Sequence, residues 1–170
     1  MRPLFVVVSG APGSGKSTLA RELAPRLGLP LFMKDTIKEA IADVIPAPDL
    51  VASKVLGAAT MRVLLALARD NAGAVIESTW ERSLAADELS ALPSKVIEVF
   101  CDVPPDVAQQ RYVARAGTRH LVHFDVEQGG DLQGWIDRHP QRVDGGWPLI
   151  AVDTTAPVDL DALVAKILAA

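Results

Sequence analysis

Residues 6–24 read VVVSGAPGSGKSTLARELA, an apolar block that runs into glycines, a lysine and hydroxyls. The eight residues Gly10-Ala11-Pro12-Gly13-Ser14-Gly15-Lys16-Ser17 satisfy G-x-x-x-x-G-K-[ST] at each fixed position. That spacing leaves few folds open. Successive backbone N–H groups must turn inward around an anion, and only glycine reaches the required dihedrals without strain. The apolar block must enter as a buried strand, and a helix must leave with its N-terminus on the anion. Chance would give the pattern roughly a quarter of one per cent of the time in a chain of this composition. Gly10, Ala11, Pro12, Gly13, Ser14, Gly15, Lys16, Ser17 and Thr18 are therefore the candidate nucleotide-binding residues. Lys16 reaches the β- and γ-phosphates and Ser17 is the Mg²⁺ ligand.

The rest of the chain repeats the same alternation. Short β-branched blocks at Leu4–Val8, Pro30–Met33, Ala74–Ser78, Val96–Phe100 and Leu149–Val152 suit strands buried on both faces of a parallel sheet. Helical patterns are expected at Lys16–Leu27, Asp35–Val44, Asp49–Asp70, Asp106–Ala116 and Leu160–Ala169. The first carries Leu19, Leu23 and Leu27 at four-residue spacing and stops at Gly28. Strands alternating with helices imply an α/β layered domain, and 170 residues imply one of them, 1–170.

Composition narrows the function. The net charge is −4 and the sequence pI about 5.3, so a nucleic-acid partner is disfavoured. The N-terminal run LFVVV is too short for a signal-peptide core or a membrane span. The lone Cys101 suits a reducing cytoplasm. Nothing in the sequence sets an oligomeric state.

Residues 117–148 break the alternation, with six glycines, two prolines, all three histidines and two of the three tryptophans. A connection this long in a compact domain reads as a lid, here about 111–147, with a short helix at Leu132–Arg138. His120, His123 and His139 match no zinc spacing, and Asp125 does not complete one. Arg111 and Arg115 lie at i, i+4 on one helical face, and Arg119 would extend the stripe unless Gly117 ends the helix first. Like charges so placed call for an anion opposite, and a triphosphate supplies one. Asp35 falls just past the second strand, where ligands gather in open α/β sheets; it reads either as a helix cap or as a site residue. No Asn-Lys-x-Asp signature for guanine is present, and Glu77-Ser78 lacks the paired acids of a hydrolytic strand end.

GAPGSGKSTLARE, followed about 20 residues later by a strand and Lys34-Asp35, resembles the small P-loop kinases. These include chloramphenicol phosphotransferase, zeta toxins, polynucleotide 5′-kinases and small kinases grouped with AAA-type ATPases. The resemblance implies a three-layer P-loop fold with strand order 2-3-1-4-5, flanking helices and a lid. It implies ATP and Mg²⁺ as cofactors and a small-molecule hydroxyl as acceptor: an antibiotic, a sugar nucleotide or another metabolite. Asp35 becomes the general base, and Arg111, Arg115 and Arg119 the lid arginines. AVIESTWERS resembles the acceptor-site segment of zeta toxins, which makes Glu77, Thr79 and Arg82 candidate substrate-binding residues. Trp80, which is this chain's own, is either a stacking wall or a cap over the core. AVDTTAPVD resembles the turn that borders the adenine pocket. Alternatives are a nucleoside or nucleotide kinase, a polynucleotide 5′-hydroxyl kinase, and an ATP-binding switch without transfer.

Overall fold

The computed structural model describes residues 3–80, 82–115, 117–124 and 142–170. The expected helix at Leu132–Arg138, and the part of the expected lid from 125 to 141, lie outside them.

Five parallel strands form one sheet in the order β2-β3-β1-β4-β5, as the resemblance implied. They are β1 (Leu4–Gly10), β2 (Leu31–Met33), β3 (Ala74–Glu77), β4 (Lys95–Asp102) and β5 (Leu149–Asp153). Among the described residues the helices are α1 (Lys16–Leu27), α2 (Lys34–Ala42), α3 (Leu50–Arg69), α4 (Arg82–Ser90), α5 (Pro105–Arg115) and α6 (Leu160–Ala169). A 3₁₀ turn at Leu121–His123 lies between α5 and β5.

The two faces of the sheet are sorted by strand alternation. On one face Leu4, Val6 and Val8 pack with Ile97, Val99 and Cys101 under Leu19, Leu23 and Leu27 of α1 and Leu163 and Ile167 of α6. On the other, Phe5, Val7, Ile76 and Val96 pack under Leu64, Leu65 and Ala68 of α3 and Leu89 of α4. Asp49 and Asp159 cap α3 and α6, accepting from the N–H groups of Ala52 and Ala162. Gly28 closes α1 at φ +63, the left-handed stop that the sequence signalled.

The sequence reading assigns no element between β3 and β4, where α4 lies. Its apolar signal is thin: Ala85, Leu89 and, just beyond its end, Leu92 are buried. The 3₁₀ turn carries no sequence period at all. By length and composition α3 could cross a membrane, with a mean hydropathy of 1.7. In the fold its Ser53, Thr60, Leu64, Leu65 and Ala68 are buried, and it packs on α2, β2 and β3.

A charged residue is buried in the middle of strand β4. Glu98 of β4 is fully buried, and its carboxyl oxygens accept from the Ser9 hydroxyl at 2.5 Å and the N–H groups of Val143 (2.8 Å) and Asp144 (3.1 Å). The Trp147 indole N–H lies at 3.4 Å. The chain returning toward β5 is thereby fastened to the two central strands. Glu98→Ala would leave these donors without their acceptor, a loss of about 3 kcal/mol or more. Urea unfolding followed by tryptophan fluorescence should show that loss, with Glu98→Gln falling between the two proteins.

Candidate active site

The register of β3 builds the site. Glu77, its last residue, lies level with Val8 of β1 on one side and with Met33 of β2 on the other. The glycine loop leaves β1 two residues past Val8, and Asp35 follows Met33 by two. Three segments therefore deliver the loop, Glu77 and Asp35 to the same C-terminal edge, where such sheets bind ligands.

The loop owes its path to its glycines. Gly10, Gly13 and Gly15 take φ values of +139°, +84° and +89°. At Gly13 an added Cβ would come 2.1 Å from the Ala108 carbonyl oxygen, because α5 packs directly on the loop. Ala11, Val103 and Ala108 form the small apolar contact that holds it there. Pro12 is half-buried and Thr18 is exposed. Lys16 is buried, and its Nζ donates to the Ala11 carbonyl at 2.8 Å. Burial lowers the Lys16 pKa; Glu77, Cys101 and Asp35 act to raise it, and the Arg115 guanidinium adds to the lowering. The Ser14 hydroxyl is buried without a hydrogen-bond partner among the described residues. An orphaned hydroxyl in a glycine cradle suits an anionic oxygen arriving from a ligand.

Glu77 is buried, and burial pushes its carboxyl above the usual range. Lys16 opposes that push, Asp35 adds to it, and the Ser17 hydroxyl hydrogen-bonded to it and Arg21 oppose it. The Ser17 hydroxyl and the Glu77 carboxyl thus stand together at the mouth of the loop. No group of three or more His, Cys, Asp or Glu among the described residues could hold a metal. One hydroxyl and one carboxylate suit Mg²⁺, which keeps its waters and shares phosphate oxygens with its substrate.

Asp35 opens α2 with its side chain half-exposed. Burial pushes its carboxyl up, but His123, Arg119, Lys34 and Lys16 together bring it below the ordinary 3.8. Arg119 Nη2 lies 2.9 Å from Asp35 Oδ2.

The three candidate lid arginines do not act as one stripe. α5 ends at Arg115, and Gly117, at φ +86, turns the chain away. Arg119 therefore crosses to α2, while Arg115, exposed at the helix end, has its charge felt by Lys16. Arg111 donates to the carbonyls of Thr154 (3.0 Å) and Thr155 (3.2 Å). Thr154 Oγ1 in turn donates to the Ser14 carbonyl at 2.6 Å. Arg111 thus clamps the turn after β5 against the loop. Trp80 is 4% exposed, and its indole N–H donates to the Val8 carbonyl at 3.1 Å. Of its two sequence readings it takes the cap over the core. Thr79 is half-buried beside Glu77, and Arg82 begins α4.

Several residues were not expected. Glu39 holds His123 at 2.7 Å, and buried Lys38 donates to Ser53 Oγ at 2.8 Å. The usable sequence signal was the acidic spacing of Asp35, Glu39 and Asp43 on one face of α2.

Residues 5–139 match a family model described as AAA domain. A curated relative, an uncharacterized protein of Mycobacterium tuberculosis, is 30% identical over 132 residues, 66% of this chain and 26% of that protein. The chain thus spans about a quarter of the length of the curated relatives it matches. Among solved structures, a candidate kinase from Chloroflexus aurantiacus is 29% identical, with a TM-score of 0.86 over 99% of this chain and 98% of that one. Shikimate kinase from Acinetobacter baumannii, solved with shikimate, shares the fold at 21% identity, with a TM-score of 0.61 over 98% and 90% of the two chains.

Two outcomes follow from this geometry. Gly13→Ala forces α5 off the loop and should weaken nucleotide binding at least tenfold, about 1.4 kcal/mol, by calorimetric titration. Because the folded-state pKa of Asp35 is lowered, its ionised form stabilises the fold above 3.8, and this is lost as pH falls through the lower folded value. Glu77 has the opposite sign: its contribution is present below 4.5 and lost as pH rises through its raised value. Asp35→Asn should therefore be less stable than wild type at neutral pH, with the gap closing below 3.8 in urea titrations.

Proposed function

The chain is a member of the AAA-domain family with the fold of the small P-loop kinases, and on that premise we propose that it transfers the γ-phosphoryl group of ATP to a hydroxyl of a small molecule. The proposal covers one catalytic domain, 1–170, working in the cytoplasm where ATP is supplied. The observation that carries it is Asp35. An ionised carboxylate on the acceptor side stands close enough to Lys16 and Glu77 for their charges to interact. A loop that only bound nucleotide would need no base there.

In the proposed reaction the acceptor hydroxyl gives its proton to Asp35 as its oxygen bonds to the γ-phosphorus, and ADP leaves with the bridging oxygen. Lys16 and the loop N–H groups hold the donor phosphates. Arg115 and Arg119 offset charge on the group in transfer, and Arg111 keeps the turn at Thr154 seated beside the nucleotide. Bound with the nucleotide, Mg²⁺ would be held by Ser17 and Glu77 and would neutralise phosphate charge. Thr79 and Arg82 fall to the acceptor wall by their place after β3. The acceptor itself is an antibiotic, a sugar nucleotide or another hydroxyl metabolite.

A γ-labelled ATP screen tests this, with those three classes, nucleosides, nucleotides and 5′-hydroxyl DNA ends as acceptors. Wild type should label a small-molecule hydroxyl. Asp35→Asn should lose a hundredfold or more in kcat, roughly the contribution of a positioned general base, while its affinity for ATP holds. Equal transfer by both proteins removes Asp35 as the base. An empty screen beside intact ATP binding leaves the nucleotide-switch reading in its place.

A further inference from the structure

The acidic face of α2 is met by a run of basic residues from one short segment. Asp35, Glu39 and Asp43 recur every four residues, so they rise along one face of the helix. Arg119 Nη2 lies 2.9 Å from Asp35 Oδ2, His123 Nε2 2.7 Å from Glu39 Oε1, and His120 Nε2 3.2 Å from Asp43 Oδ1. The backbone between them is also secured. The Val122 carbonyl accepts from Ser53 Oγ of α3 at 2.6 Å and from Lys38 Nζ of α2 at 3.4 Å. Phe124 then leaves the 3₁₀ turn at φ +50.

These three contacts are not equal. The Asp43 carboxylate is largely exposed, and pairs of that kind contribute little. His123 is 6% exposed, lies inside the contact, and belongs to none of the roles assigned above. Glu39 stands one turn beyond Asp35, so the ring it holds lies against the same face as the base.

We infer that His123 is a positioning residue for Asp35: gripped by Glu39, its ring stands beside the base and keeps it ready to take the acceptor's proton. The inference rests on the reading of Asp35 as the base. The groups facing Asp35 are His123 from the 3₁₀ turn, Arg119 from the connection after α5, Lys34 from α2, Lys16 from the loop and Glu77 from β3. Those facing His123 are Glu39 and Asp35 of α2, while the neighbouring Val122 carbonyl is met by the Lys38 ammonium of α2 and the uncharged Ser53 of α3. Burial works against an ionised Asp35, and His123 is the largest influence in the other direction, ahead of Arg119. Held by Glu39 one turn along the same helix face, the ring is placed to support the ionised form of Asp35.

The test reads Asp35 itself, in unliganded full-length protein labelled with ¹³C at aspartate carboxyls and assigned with Asp35→Asn. His123→Gln, and the ring-retaining His123→Phe in case glutamine disturbs packing, should each move the Asp35 titration midpoint upward by about half a unit or more. His120→Gln should leave it in place. Once an acceptor is in hand, the acid limb of kcat should move by the same amount in the His123 variants, with KM for ATP unchanged. A midpoint unmoved in a folded His123 variant, by its amide spectrum, overturns the inference, as does an equal movement in His120→Gln. The carboxyl titration needs no acceptor, so failure of transfer and failure of this coupling are read separately.

Discussion

Burial of charge at the C-terminal edge of the sheet is the constraint on which the rest of this structure depends. Lys16 and Glu77 are both removed from water there, and each is tolerable because the other is near. Lys16 alone would be pressed to give up its proton, and Glu77 alone to keep one. Their proximity follows from β3 lying between β1 and β2 with Glu77 level with both neighbours. A one-residue slip of β3 would turn Glu77 to the opposite face of the sheet and strand the lysine.

Around that pair the fold places parts that tighten it. α5 touches the loop through Ala108 and leaves no room for a side chain at Gly13. Arg111 and Thr154 tie the far end of β5 to Ser14. Glu98 performs a similar service on the other face of the sheet, drawing residues 143–147 onto β1 and β4. The loop is thus braced from α5, from β5 and from its own strand before any ligand arrives. Preformed geometry of this kind lowers the reorganisation that a phosphate would otherwise require.

Much of this was legible in the sequence because it is local. The loop spacing dictates a strand, a turn and a helix within about twenty residues; the expected helix has the bounds of α1, and β1 runs two residues beyond the expected Val8. Asp35 was legible by its offset from a strand end, and strand order by resemblance. What stayed hidden was made by contacts between distant residues. Glu98 interrupts an otherwise apolar run and finds its donors 45 or more residues away. Arg111, Arg115 and Arg119 look equivalent in sequence, yet the helix end and Gly117 send them to three different places. Trp80 could face in either direction on paper; the strand end and the Val8 carbonyl decide it. Glu39 lies at acidic four-residue spacing with Asp35 and Asp43, but nothing local names His123 as its partner.

On the proposed reading of Asp35 as the base, its contact with Arg119 bears on how tightly an acceptor would bind. The carboxylate already has a cationic partner on Oδ2, so an approaching hydroxyl would share it rather than meet it alone. A carboxylate so shared is the weaker acceptor, and the hydroxyl's own hydrogen bond would add less to affinity. Recognition of the acceptor would then come mostly from parts of the molecule remote from the reacting oxygen. Two candidate alcohols that present the same hydroxyl would then be told apart by everything except that hydroxyl.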